Sequence, residues 1–326
     1  MIRAATRGAR WCALVFACAA RLPAQDSVRL TFPEHLPINP VTASRTALGA
    51  PRFEEPRVGW SRALTLEYAS SAENEAVFGA RYLIDAEVLR LDMRLSRDIG
   101  PSTFFTARAG VSGAYAGWMD QLLDWFHQRI GVHMRDRDTR PLDVFGDTLQ
   151  LPNGATVIGR QRALFLDDVR LGIGHRYGDA VQGVFTVTLP TGTAPVGFGH
   201  RTLSLGVIHT GRVQPLAWLA LEGSAGVGFT PTQGALSDYQ RRFMASGSAS
   251  ARLQYHGGQS VYGTLFVHSP YYHDTTLPSL DATEISTEFG FVVRTRRGHE
   301  WQFALTENPH AIDPSVDVTF HLGYRW

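Results

Sequence analysis

Over residues 316–326 every second side chain is apolar. Val316, Val318, Phe320, Leu322, Tyr324 and Trp326 fall on one face of an extended chain, and Asp317, Thr319, His321, Gly323 and Arg325 on the other. A soluble domain has little use for such a strand closed by a bulky aromatic, whereas an outer-membrane barrel presents that face to lipid.

The opposite end of the chain agrees. Arg3, Arg7 and Arg10 precede the apolar stretch Trp11 to Ala20, and Leu22-Pro23-Ala24 has small-residue cleavage character. That is the order of a secretory signal peptide, too short to span a bilayer, so residues 1–24 are expected to be removed. Both cysteines, Cys12 and Cys18, fall inside it, which leaves no disulfide or thiolate site. All 31 basic residues are arginine; four lie in the signal, so the remainder carries 27 arginines against 30 acids. A net charge of −3 gives no basic face for nucleic acid.

From Trp60 the period-2 pattern predicts twelve strands, near 60–69, 81–97, 103–115, 163–177, 181–190, 200–212, 216–230, 243–256, 259–269, 283–295, 299–307 and 316–326. Strand two is decisive, because Leu89, Leu91, Met93 and Leu95 alternate with Arg90, Asp92, Arg94 and Ser96. An arginine facing hydrocarbon near the midplane costs about 2–4 kcal/mol, so the charged face looks inward. The phase of 259–269 is ambiguous. Short turns with turn chemistry, such as Gly100-Pro101-Ser102, Gly178-Asp179-Ala180 and Gly257-Gly258, alternate with longer connections near 70–80, 116–162, 191–199, 231–242, 270–282 and 308–314. Short periplasmic turns and long outer loops are the outer-membrane rule.

The expected fold is therefore all-β: an antiparallel transmembrane β-barrel of about 12 strands over residues 60–326, in the bacterial outer membrane. Residues 25–59, with prolines at 33, 37, 40, 51 and 56, form either a periplasmic segment or a lumen plug. In the 116–162 loop, Leu122, Leu123, Phe126 and Ile130 recur at helical spacing, which predicts a short amphipathic helix suited to capping or entering the barrel mouth.

Several pieces in order resemble a family of bacterial proteins assigned only a domain of unknown function. They are Asn39-Pro40, Ile84-Asp85-Ala86-Glu87, Gly117-Trp118-Met119-Asp120 through Trp125-Phe126-His127 to Gly131, Leu166-Asp167-Asp168, and Leu189-Pro190-Thr191-Gly192. The resemblance covers most of the chain after residue 24 and implies an outer-membrane barrel; it implies no activity.

The inward charges form the main chemical constellation: Arg90, Asp92, Arg94, Arg108, Asp168, Arg170, Glu222, Arg252, Glu284, Glu288, Arg294, Asp317 and Arg325. They read equally as the wall of a selective pore or as a salt-bridge network filling a closed lumen. Asp120, Asp124 and His127 share one helical face and are candidates for metal or acid–base work, set against the plainer reading of a wet helix face. The acidic run Asp136, Asp138, Asp143 and Asp147 fails the calcium-loop template, because Pro141 sits where glycine is needed. His268, His273 and Asp274 near a later loop are equally weak.

No Gly-x-Ser-x-Gly elbow and no His-Glu-x-x-His motif occurs, so no catalytic, metal or cofactor residue is assigned. The expectation is a monomeric channel or passive transporter for small solutes, more an opening than an enzyme. The alternatives are an enzyme acting on lipid or lipopolysaccharide and a sealed structural or adhesion barrel. Expected partners are outer-membrane lipid, lipopolysaccharide, and the barrel-assembly machinery through the strand at Trp326.

Overall fold

The computed structural model describes residues 30, 32–130, 141–199, 201–308 and 318–326. Residues 1–24, Asp136, Asp138, Val316 and Asp317, which carry some of the expectations above, lie outside them.

Among the described residues fifteen strands share one antiparallel sheet. Twelve of them form a closed ring: β1 (Trp60–Val77), β2 (Ala80–Asp98), β3 (Thr103–Tyr115), β7 (Arg170–Arg176), β8 (Val181–Thr188), β9 (Ser204–Leu216), β10 (Leu219–Phe229), β11 (Phe243–His256), β12 (Gln259–His268), β13 (Glu284–Arg294), β14 (Glu300–Glu307) and β15 (Val318–Arg325). Each pairs with its neighbour in sequence, and β1 pairs with β15 to close the ring, with Leu66 opposite Leu322. Closure leaves no unpaired edge in the hydrocarbon, which is the condition for strands to span a bilayer.

The outward face is apolar all round. Leu66, Leu91, Phe185, Val207, Phe289 and Phe320 are each more than a third exposed. A soluble sandwich would have buried them against one another, so this belt excludes that fold. Trp60, Tyr177, Trp218, Tyr255 and Trp301 are exposed near the short-turn end, where Trp301, Tyr324 and Trp326 stack with centroids 4.4 and 5.2 Å apart. This is an interfacial aromatic girdle.

Three differences from the sequence reading have physical causes. The connection expected at 70–80 is instead a continuation of β1 and β2, closed by Phe78-Gly79 at φ 45° and 83°, the two-residue turn whose twist suits a hairpin. The strand expected at 163–177 is broken. β6 (Arg162–Leu166) pairs with the outer half of β3 and β7 with the inner half; between them the Asp168 carboxylate accepts bonds from the Gly192 and Arg201 backbones at 2.6 and 3.4 Å. The long loop also builds β4 (Gly146–Gln150) and β5 (Thr156–Ile158), which extend the sheet beyond the outer end of β2.

Its helix, with a one-turn α1 at Pro40–Ala43 before it, is α2 (Met119–Ile130). It does not enter the mouth. Met119 and Leu123 pack on Tyr68, Leu305 and Val318, which belong to the outward face of the barrel, and Trp118 stacks on Tyr68 at 6.1 Å. Leu122 and Trp125 remain exposed. The apolar stripe is two-sided, so one side meets the barrel and the other faces outward at the level of the outer rim.

Candidate functional site

The lumen is not empty. Residues 32–58 run through it as a hairpin, paired backbone to backbone where His35 meets Ala50 (N–O 3.0 and 2.9 Å). Phe32 packs with Ala220, Tyr262 and Val292, and the turn of the hairpin reaches the outer loops. There Leu48 is fully buried. The Gly206, Gly226 and Gly228 positions leave the space it fills, since a Cβ on each would lie 3.3, 3.3 and 3.0 Å from its side chain. The glycine-bearing strands β9 and β10 are the part of the wall that accommodates this end of the hairpin.

Charge divides the wall around the hairpin. Arg90, Arg94, Arg108, Arg170 and Arg176 come from the neighbouring strands β2, β3 and β7, with Asp92 among them. Glu284, Glu288, Glu300 and Glu67 come from β13, β14 and β1. Extended backbone sends successive side chains to opposite sides, and the hairpin uses this directly. Glu34 meets Arg94 and Arg108, each at 3.4 Å, while His35 meets Glu288 at 3.3 Å. The Glu34 carboxylate is thus held between two guanidinium groups of the arginine-rich wall.

The descending arm repeats the pattern. Arg52 bonds Glu300 at 2.7 Å, and Glu54 takes Arg94 at 2.8 Å and the Ser96 hydroxyl at 2.8 Å. Glu55 pairs with Arg212, and the Arg57 N–H donates to Asp98 at 2.9 Å. Glu288 is the hub of the acidic wall, accepting from Tyr262 at 2.5 Å and Thr306 at 3.2 Å and facing His321 at 3.5 Å. His321 also reaches Glu67 at 3.0 Å, and Glu67 takes Arg90 at 2.5 Å. Three spaces between the hairpin and the wall inside the barrel hold about 60, 100 and 10 Å³. That is room for a few waters, and too little for a solute.

Of the residues singled out by sequence, Arg90, Asp92, Arg94, Arg108 and Arg170 gather on one wall and Glu284 and Glu288 on the other. Arg252 and Arg325 lie buried near the inner end, Arg252 on Ser260 at 2.7 Å and Arg325 on Glu300 at 3.2 Å. Glu222 is part-buried beside Arg212, Arg52 and Glu55. Arg294 shares the inward register of β13, where its backbone N–H donates to Gly258 at 2.8 Å. Asp168 belongs to the break between β6 and β7 rather than to a strand.

Asp120 is buried and accepts the Asp143 N–H at 2.9 Å; Asp124 is partly exposed; the His127 side chain lies outside the described residues. Among the described residues no group of three histidine, cysteine or acidic side chains could hold a metal. His268 stacks on Tyr271 at 4.2 Å and bonds Thr46 of the hairpin at 3.1 Å.

What the sequence reading missed are the hairpin's own partners: Glu34, His35, Arg45, Arg52 and Glu54. The one available signal was their charge in a proline-rich stretch read as either a periplasmic segment or a lumen plug.

No family model matches this chain, and no curated protein matches it in sequence. Its fold has counterparts among solved structures. An outer-membrane channel from Pseudomonas putida F1 superposes with a TM-score of 0.53 at 11% identity, covering 83% of this chain and 96% of that one. The NanC porin gives 0.46 at 7% identity over 81% and 98%, and the translocator domain of the autotransporter NalP from Neisseria meningitidis gives 0.44 at 12% over 89% and 92%. At these identities the likeness is one of fold. Together with the closed ring, the apolar belt and the aromatic girdle, it makes this chain a twelve-stranded β-barrel of the bacterial outer membrane.

Proposed function

We propose that the protein is a passive channel for small polar solutes whose lumen is plugged by residues 32–58. The observation that carries this reading is the division of the wall into an arginine-rich and a carboxylate-rich side, with a removable segment between them that pairs with both. An opposed-charge wall orients dipolar and charged solutes as they pass. Some wall groups also pair with one another, as Glu67 with Arg90 and Glu300 with Arg325, whereas the ion pairs of Arg94 among the described residues are with Glu34 and Glu54 of the hairpin. The similarly folded outer-membrane channel from Pseudomonas putida F1 supports it. Removing residues 32–58 leaves Arg94, Arg108, Glu288 and Glu300 facing a wet lumen instead of the hairpin.

Swelling of proteoliposomes in isosmotic amino acids or sugars tests this. The chain without residues 32–58 is expected to admit solutes of a few hundred daltons quickly, and the full chain slowly. If neither admits any, the barrel is a sealed structural element.

Three supporting parts belong to the same reading. Residues 1–24 act as the export signal, and β15, with its alternating face, is the strand offered to the barrel-assembly machinery. Trp118, Leu122 and Trp125, exposed beside the outer rim, sit at the level of lipopolysaccharide.

A further inference from the structure

A cavity of about 650 Å³ lies at the outer mouth, directly above the turn of the hairpin. Its size is that of a small-molecule site, for which about 300–1,000 Å³ is usual. Ser44 and Arg45 of the hairpin form part of its lining, and the rest comes from the β4–β5 hairpin and two outer loops.

Most of the lining is apolar: Leu149, Val157, Pro195, Val196 and Leu236. The charged groups on it are Asp147, Arg45, Arg160 and Arg201. Arg160 and Arg201 are exposed at its rim. Arg45 is 2% exposed and donates to the carbonyls of Pro231, Thr230 and Arg241 at 2.8, 3.3 and 2.8 Å, while its Nε–H has no partner among the described residues. Three cations therefore stand against one carboxyl.

That carboxyl is the unusual feature. Asp147 is 6% exposed, and among the described residues its Oδ2 has no hydrogen-bond partner and no cation pairs with it. The chain makes room for it at some cost: a Cβ on Gly159 or Gly197 would lie 1.7 or 2.7 Å from Oδ2. A buried acid without a partner at a cavity wall lacks a donor that a ligand can bring.

We propose that this vestibule binds a small organic acid with an apolar body and a hydroxyl or amino donor. The acid group is drawn by the arginines, the hydrocarbon covers the leucine, valine and proline lining, and the donor satisfies Asp147. The inference deepens the channel reading, since it names the solute met just above the plug, but binding itself needs no conduction.

Calorimetric titration of the full chain in detergent micelles tests it, with 6-hydroxyhexanoate, hexanoate and 6-amino-1-hexanol as probes. The hydroxy acid is expected to bind about tenfold more tightly than hexanoate, one hydrogen bond's worth, and the amino alcohol not at all. Asp147→Ala is expected to bind both acids equally, at the affinity of the native chain for hexanoate, which also shows that the variant is folded. The pair Arg160→Gln and Arg201→Gln is expected to weaken both acids at least fivefold.

Absence of hydroxy-acid binding, tighter binding of the cation, or unchanged discrimination in Asp147→Ala would overturn the proposal. A chain that binds but never conducts loses the channel reading and keeps this site; one that conducts without binding loses only this site.

Discussion

Glu34 and His35 are adjacent in sequence and bonded to opposite walls, so each holds the hairpin against a different charge. Glu34→Gln leaves Arg94 and Arg108 without this carboxylate while keeping the shape. An unsatisfied buried partner costs about 1–3 kcal/mol, so the variant is expected to show frequent brief openings in single-channel records and a lower thermal midpoint in detergent. A record as quiet as that of the native chain would show that Glu34 is not a latch. Leu48 is the apolar counterpart. Leu48→Ala removes a fully buried side chain, at about 2–5 kcal/mol, and is expected to make the hairpin cleavable by protease added to intact proteoliposomes; continued resistance would count against its seating. At this scale the sequence was half legible. Arg90, Asp92 and Arg94 announce themselves by alternating with leucines inside a strand. Glu34 and Arg52 do not, because their partners are 60 to 248 residues away and no local period links them.

Among the elements, those whose two faces meet different media were the readable ones. In β13, Phe289 and Phe291 face lipid while Glu284 and Glu288 face the lumen. In β12 the inner face is mixed: Val261 and Leu265 lie outward, but Tyr262 and Phe266 are buried inside among Ser260, Thr264 and His268, Phe266 with its ring 4.9 Å from His35. Its phase was hidden because the hairpin, rather than water, covers its inner face. Helix α2 was legible as a helix and misplaced, since an amphipathic stripe does not say which apolar surface it meets.

The β4–β5 hairpin carries a pH prediction. Burial pushes the Asp147 carboxyl up to about 7 from 3.8. Raised in the fold, it favours the folded state fully below its unfolded value. That contribution is lost as pH climbs from about 4 to about 7 and changes no further above that. The difference in thermal midpoint between the native chain and Asp147→Asn should therefore shift against the native chain over that interval and level off beyond it. A difference independent of pH would mean that the carboxyl is not buried as described.

For the whole molecule, the closed ring and its lipid belt were the most legible property, because a membrane imposes one rule on every strand. The belt also makes the simplest stability prediction. Leu91 lies near mid-strand, paired with Leu66 and Val111. Leu91→Arg should cost about 2–4 kcal/mol in urea titration of vesicle-inserted protein, and a change below 1 kcal/mol would place that face out of hydrocarbon. The ring closes without a second copy, so a single chain suffices to span the membrane. Nothing in the strand pattern revealed whether the interior was open, because a twelve-stranded barrel can be either; the hairpin decides it. The most direct test is single-channel current across a planar bilayer. The full chain should stay mostly closed, and the chain without residues 32–58 should give a stable conductance with linear current against voltage. Equal currents from the two, or silence from both, would contradict the plugged channel.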